Sequence, residues 1–274
     1  MNHLQKSGKN VLITGASFGF GYEFAKHFAA DGYNLVLVAR SADRLNTLAN
    51  ELSGKYGIQT WVISKDLFDR DAPNQLHAEL KSRNIPIHIL VNNAGFGTYG
   101  QFSEIELADD LNLVQLNVAV VTHMTKLFMR DMLARNEGRI LNVASMAAFL
   151  PGPYMATYFA SKAYVYSLTD ALAEELRGTN VSIMALCPGV AATNFQQTAN
   201  NEKALIGGKI DAFVMSAQSV VDAAYSDFME GKRLSVPGAS NKLMQVMVRF
   251  IPRSWMNRAV SLFNKSEDIK AYRT

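Results

Sequence analysis

An apolar run, Asn10–Thr14 (NVLIT), passes without a break into GASFGFG and then into an amphipathic pattern of helical period over residues 22–30. A strand, a glycine-rich turn and a helix in that order aim backbone N–H groups and a helix N-terminus at one point, the arrangement that cradles a diphosphate. Gly15, Gly19 and Gly21 let the backbone come close to such a ligand, and Ser17, Phe18 and Phe20 are the other turn residues expected to touch it. The spacing is Gly-x-x-x-Gly-x-Gly, which departs from the commoner Gly-x-Gly-x-x-Gly.

The alternation continues down the chain. Asn34–Ala39 is a second strand-like run, followed by helical period over 43–56, a strand at 59–64, a helix over 69–83 and a strand at 87–91. Further strands are expected at 139–144, Val181–Leu186 and 233–236, with helices over 107–132 and 155–177. Helices of this length between strands connect as right-handed crossovers. The expectation is therefore an α/β fold: a Rossmann-like, doubly wound, parallel seven-stranded sheet with helices on both faces. No linker, repeat or low-complexity run divides the 274 residues, so one domain is expected. It comprises a Rossmann-fold unit over 1–238, with a lid at about 191–216, and an amphipathic helical extension over 239–274.

The end of the second strand bears on the nucleotide. Ala39 falls eighteen positions after Gly21, where a site for NAD would want a carboxylate to accept from the adenosine ribose 2′-OH. Arg40 follows instead, and its planar five-donor cation suits a phosphate, which favours NADP over NAD. Asp43 lies inside the next helical stretch and is discounted. Asp66, with Leu67 beside it just past the third strand, is placed to meet the adenine amino group. Asn92, Asn93, Ala94 and Gly95 close the fourth strand with small and amide-bearing residues, where the carboxyl edge of such a sheet meets its ligand.

Tyr158 and Lys162 stand four residues apart at the start of a long helical pattern and so share a helix face. An ammonium there favours the ionised phenol and tunes it toward acid/base work near neutrality. Ser145, at the end of the run Arg-Ile-Leu-Asn-Val-Ala, offers a hydroxyl to the substrate oxygen that Tyr158 would protonate.

Thr14-Gly15-(x)3-Gly19-x-Gly21, Asn92-Asn93-Ala94-Gly95, Ser145, Tyr158-x-x-x-Lys162 and Pro188-Gly189 stand in one order and spacing over about residues 8–195. In this the chain resembles the classical short-chain dehydrogenase/reductase family, NADP-preferring type. The resemblance implies Asn117, Ser145, Tyr158 and Lys162 as catalytic residues, with Asn117 holding a water that passes protons to Lys162 and Tyr158. It also implies that Asn93, Ala94 and Gly95 line the adenosine, that Lys162 binds the nicotinamide ribose, and that Pro188, Gly189, Val190 and Thr193 wrap the nicotinamide side and diphosphate. The cofactor expected is NADP(H).

Phe96, Phe149, Met155, Phe195 and Phe213 are expected to wall an apolar substrate pocket. A single cysteine, Cys187, excludes an intrachain disulfide and is read as a buried small apolar residue. The five histidines show no metal-ligand spacing, the formal charge of +3 is too small to imply nucleic acid, and no apolar run is long enough for a membrane span. A cytoplasmic protein is expected. Residues 240–265 carry two apolar stripes separated by Pro252, and 232–265 hold seven basic residues and no acidic one. Cover of the substrate pocket or of a subunit interface is the favoured reading of these helices, and contact with a membrane surface the less favoured one.

These features add up to an NADPH-dependent carbonyl reductase, reversible as an alcohol dehydrogenase, acting on a small apolar ketone, aldehyde or alcohol. A non-catalytic dinucleotide-binding redox sensor or scaffold is the alternative. A homo-oligomer is expected, the resemblance implying a two-fold four-helix seam supplied by Leu113, Leu116, Val120, Phe128, Val165, Leu168 and Leu172.

Overall fold

The computed structural model describes residues 8–192 and 214–265. Among them the principal sheet has seven parallel strands in the order β3-β2-β1-β4-β5-β6-β9. They are β1 (Asn10–Thr14), β2 (Asn34–Ala39), β3 (Thr60–Ser64), β4 (Ile89–Asn92), β5 (Gly138–Val143), β6 (Val181–Leu186) and β9 (Leu234–Ser235). The central strands are near-continuous Val, Ile and Leu because helices bury both of their faces. On one face α1 (Gly19–Ala30), α2 (Ala42–Tyr56) and α7 (Ala217–Met229) pack Phe24, Phe28, Leu45, Leu48, Val221 and Phe228 into a core. On the other, α3 (Ala72–Ser82), α5 (Val121–Ala134) and α6 (Ala156–Glu175) contribute Leu76, Met124, Phe128 and Ala173.

The chain winds outward from β1 to β3 and then crosses to β4 on the other side. The loops leaving β1 and β4 therefore diverge and open a crevice at the carboxyl edge, the place where open α/β sheets bind ligands. The helix expected over 107–132 is interrupted: α4 (Leu107–Val114) passes into a π-helical stretch, Gln115–Val120, before α5 resumes. Asn117 lies in that stretch, a kind of irregularity frequent at functional sites.

The expected oligomer seam needs correction. Leu113, Val120, Phe128 and Val165 are buried within this chain, in contact with its own sheet and helices, and cannot also face a partner. The outward apolar residues on α4 and α6 are Leu107, Leu111, Val114 and Tyr164.

A two-residue parallel pair, β7 (Ala191–Ala192) with β8 (Met215–Ser216), holds the two ends of the expected lid side by side. The body of that lid, with Thr193, Phe195 and Phe213, lies outside the described residues. The extension forms α8 (Ala239–Met247) and α9 (Arg253–Asn264), parted at Pro252. Three bonds anchor it over the carboxyl edge: Tyr99 Oη donates to Asn264 O at 2.6 Å, Asn264 Nδ2 to Pro153 O at 2.9 Å, and Asn241 Nδ2 to Pro237 O at 2.7 Å.

Candidate active site

Thr14 ends β1 and Asn93 directly follows β4, and the two hold each other. Thr14 Oγ1 accepts from the N–H groups of Asn93 and Ala94 at 3.0 and 3.1 Å, while Asn93 Nδ2 donates to Thr14 O at 2.9 Å and Gly15 O at 3.1 Å. The glycine-rich turn is thereby fixed from behind. Within it Gly21 has no room for a side chain, since a Cβ would stand 2.3 Å from Gly15 O.

The turn opens into a cavity of about 1330 Å³. Gly15, Ser17, Phe18, Gly19 and Phe20 line one part of it, followed by Arg40, Asp66 and Leu67, then by Asn93, Ala94 and Gly95. Pro188, Gly189 and Val190 close it on the β6 side, where Pro188 O accepts from Met146 N at 2.9 Å. Gly21 stands behind this lining as the contact that shapes the turn. Arg40 is exposed, with its guanidinium 5.5 Å from the centre of the Phe68 ring. Asp66 Oδ1 accepts from Phe68 N at 3.0 Å, so this carboxylate also builds the loop that presents it.

The sequence reading missed Arg44 and Lys65, which line the cavity beside Arg40. Arg44 was legible in principle, because it stands four residues after Arg40 at the start of α2. Three cations around one end of the cavity suit a phosphate, and the glycine cradle suits a diphosphate. The residues present therefore fit a phosphorylated nicotinamide dinucleotide.

At the far end Tyr158, Lys162 and Ser145 meet. The Ser145 hydroxyl hydrogen-bonds the Tyr158 phenol, and Ser145 Oγ accepts from Ala147 N at 3.1 Å. Lys162, buried, donates from Nζ to Val143 O at 2.9 Å and lies 5.8 Å from the centre of the Tyr158 ring. Asn117 is buried and fully engaged: Oδ1 accepts from Phe96 N at 3.2 Å, and Nδ2 donates to Phe96 O at 2.9 Å and to Ser161 Oγ at 3.1 Å. Gly95 passes between these groups, and a Cβ there would be 2.9 Å from Asn117 Oδ1 and 3.4 Å from Lys162 Nζ. Below them a buried ladder runs from Asn92 Nδ2 to Asn142 Oδ1 at 2.8 Å and from Asn142 Nδ2 to Thr169 Oγ1 at 2.9 Å, tying β4, β5 and α6 together.

The ionisation of the pair departs from the sequence expectation. Burial pushes the Tyr158 phenol up to about 12, against the pull of its Ser145 hydrogen bond, and burial lowers Lys162 to about 8. Lys162 does not depress Tyr158 here, because desolvation disfavours both charges and the ammonium is committed to a carbonyl. Cys187 beside them is completely buried, its thiol pushed up to about 12, as expected of a small core residue.

The substrate wall is also redistributed. Phe96 and Met155 line the cavity, but Phe149 packs edge-on against Tyr166 at 4.8 Å between ring centres, outside the lining. In its place stand Leu150 and Phe159, with Met244, Met247, Ile251 and Phe263 from the extension opposite.

A family profile described as short chain dehydrogenase matches residues 9–204. The chain belongs to the short-chain dehydrogenase family. It is 32% identical over 201 residues to mouse 17-beta-hydroxysteroid dehydrogenase type 3, covering 73% of this chain and 65% of that protein. It is 34% identical over 183 residues to the very-long-chain 3-oxoacyl-CoA reductase of Phaeosphaeria nodorum, covering 65% of this chain and 54% of that protein. The match thus spans less than two thirds of either relative's length. A solved 7beta-hydroxysteroid dehydrogenase superposes with a TM-score of 0.85 at 25% identity, over 95% of this chain and 100% of its own. A short-chain dehydrogenase from Sphingobium yanoikuyae, solved in complex with NADPH, gives 0.80 at 27% identity over 97% and 100%. Short-chain dehydrogenases bind a nicotinamide dinucleotide, and structural relatives occur with NADPH and with NAD.

Proposed function

We propose that the chain is an NADPH-dependent reductase of a ketone or aldehyde carried on an apolar skeleton, working in reverse as an alcohol dehydrogenase. The observation that carries this is the Ser145–Tyr158–Lys162 cluster, which opens into the same cavity as the glycine-rich turn. A cofactor-sensing module would have no use for such a relay.

A nicotinamide held along the glycine-rich turn, Asn93–Gly95 and Pro188–Val190 would supply the hydride for the carbonyl carbon. The chain's residues handle the oxygen. Ser145 and Tyr158 present two hydroxyls to it, and Tyr158, neutral at physiological pH because burial holds its proton, gives that proton to the oxygen as the alcohol forms. The phenolate left behind keeps the Ser145 hydrogen bond, while Lys162 Nζ stays on Val143 O beneath the ring. Asn117, by fixing Phe96 at both its N–H and its carbonyl, shapes the loop above Lys162. Arg40, Arg44 and Lys65 support NADPH over NADH, since a 2′-phosphate would sit among three cations.

The apolar walls support a long acyl chain or a polycycle, and relatives are named for 3-oxoacyl-CoA reduction and for hydroxysteroid oxidoreduction. A two-fold dimer through α4 and α6 belongs to the same proposal, with Leu111, Val114 and Tyr164 on its surface. The test is NADPH absorbance in the presence of a panel of 3-oxoacyl thioesters and oxosteroids. At least one class should drive oxidation of NADPH. Silence across both classes, with NADPH bound, would remove the reading.

A further inference from the structure

The extension's inner residues roof the cavity, yet its outer residues remain uncovered. Phe250 is 81% exposed, Trp255 69% and Leu262 79%, with Val246 at 51%, and none of the four lines the cavity. Val246 and Phe250 are one helical turn apart across the end of α8, and Trp255 and Leu262 two turns apart on α9, so each pair falls on one stripe. Isolated exposed apolar residues are ordinary, but a grouped aromatic and aliphatic surface marks a place of contact.

Over 232–265 the charge is of one sign. Of the seven basic residues over 232–265, Lys232 pairs with Asp227 and Glu230, and Arg233 with Glu174. Lys242, Arg249, Arg253, Arg258 and Lys265 enter no ion pair among the described residues, and all five are exposed and outside the cavity lining. Five cations unpaired among the described residues, on the same helices and turn as Phe250 and Trp255, fit an anionic lipid surface, where the aromatic side chains enter the headgroup region and the cations meet phosphate. A second copy fits poorly, because a two-fold contact would set these five cations against the same five, with no acidic residue within 232–265 to part them. A soluble anion fits poorly too, since it would leave Phe250, Trp255 and Leu262 in water.

The surface is also continuous with the cavity. Leu243, Met247, Ile251 and Phe263 are exposed and line the cavity as well. We propose that α8 and α9 dock on an anionic lipid membrane through Phe250, Trp255 and Leu262, with the cavity mouth facing the bilayer so that an apolar substrate passes between lipid and site without crossing water. Pocket cover and membrane contact, alternatives in the sequence, are then the two sides of the same helices. The docking does not depend on the catalytic reading.

The experiment is co-sedimentation of the full chain with vesicles of phosphatidylcholine plus phosphatidylserine, against vesicles of phosphatidylcholine alone. The protein should pellet with the first, less so at raised salt, and little with the second. Arg249→Glu and Arg258→Glu should each weaken partitioning by about five-fold or more, the worth of one cation near a charged surface. Phe250→Ser with Trp255→Ser should abolish pelleting, and calorimetric NADPH binding would show that the variants are folded. In a Trp61→Phe background, Trp255 emission should shift to the blue with anionic vesicles. Failure to pellet, pelleting that none of these substitutions changes, or a dimer that Phe250→Ser dissociates without any vesicle binding would each overturn the proposal.

Discussion

Along the nucleotide side of the cavity, Thr14, Asn93 and Asn117 tie backbone to backbone through amides and hydroxyls, whereas along the opposite side Met244, Met247, Met256 and Phe263 lay apolar surface over an opening. The first wall fixes positions by paired hydrogen bonds to backbone, as a shared cofactor and a proton transfer require. The second is rich in flexible thioethers, with Leu243, Ile251 and Phe263 beside them, on two helices that Tyr99 and Pro153 tie to the domain through Asn264, which suits substrates of varied shape. One wall is selective by geometry and the other by hydrophobicity, so substitutions in each should leave different kinetic signatures.

The largest separation is expected from Gly21→Ala. Its new methyl meets Gly15 O and Asn93 Nδ2, neither of which can yield without opening the turn, and overpacking of this kind costs ~1–3 kcal/mol. NADPH affinity by calorimetry should fall about ten- to a hundred-fold. Next comes Arg40→Ala combined with Arg44→Ala, which removes two solvent-exposed charged donors worth ~1.5–3 kcal/mol together. NADPH binding should weaken by at least about ten-fold and NADH binding should stay put. Equal losses for both cofactors would show that the cations do not discriminate between them.

On the other wall Met247→Ala removes apolar contact at ~0.8 kcal/mol per methylene-sized group, so the KM for the substrate should rise about ten-fold or less. NADPH affinity and kcat should hold. A fall in NADPH affinity there would mean that the two walls are not separable.

The smallest effect is on stability against pH, measured by thermal unfolding of the cofactor-free protein. Lys162 is held near 8 in the folded chain, below its ordinary 10.5, so the unfolded state binds more protons between these values and stability rises with pH across them. Tyr158, raised from 10 to about 12, acts in the opposite sense, and its contribution is lost as pH rises through that window. A maximum near pH ~10 should result. Lys162→Met should flatten the rising limb and spare the falling one.

The first wall was legible in the sequence because its residues are local signals: glycines at a strand end, an Asn-Asn-Ala-Gly run, a Tyr and a Lys one helical turn apart. Arg40 stood out for the same reason, and the parallel seven-stranded sheet followed from the alternation of elements. The second wall was harder to read. Leu243, Met247 and Ile251 form a visible stripe, but a stripe shows that a helix has an apolar side, not which surface that side meets. Phe149 was misplaced on that account, its ring turned by the short helical turn after Ser145 toward Tyr166. The seam residues Val120, Phe128 and Val165 were misread similarly, because the stripe that packs within the chain is not the one left outward, which carries Leu107, Leu111, Val114 and Tyr164. The π-helical stretch at Asn117 has no signature in hydrophobic period, and the pKa of Lys162 depends on burial that only tertiary packing creates.

The central claim is that Tyr158 delivers the proton while the glycine wall holds the cofactor, and Tyr158→Phe separates the two most directly. The substitution keeps the ring and removes only the hydroxyl. Turnover of carbonyl substrate, followed by NADPH absorbance, should fall by at least ~10²-fold while NADPH affinity by calorimetry stays within a few-fold of the parent. Full turnover in Tyr158→Phe would contradict the account.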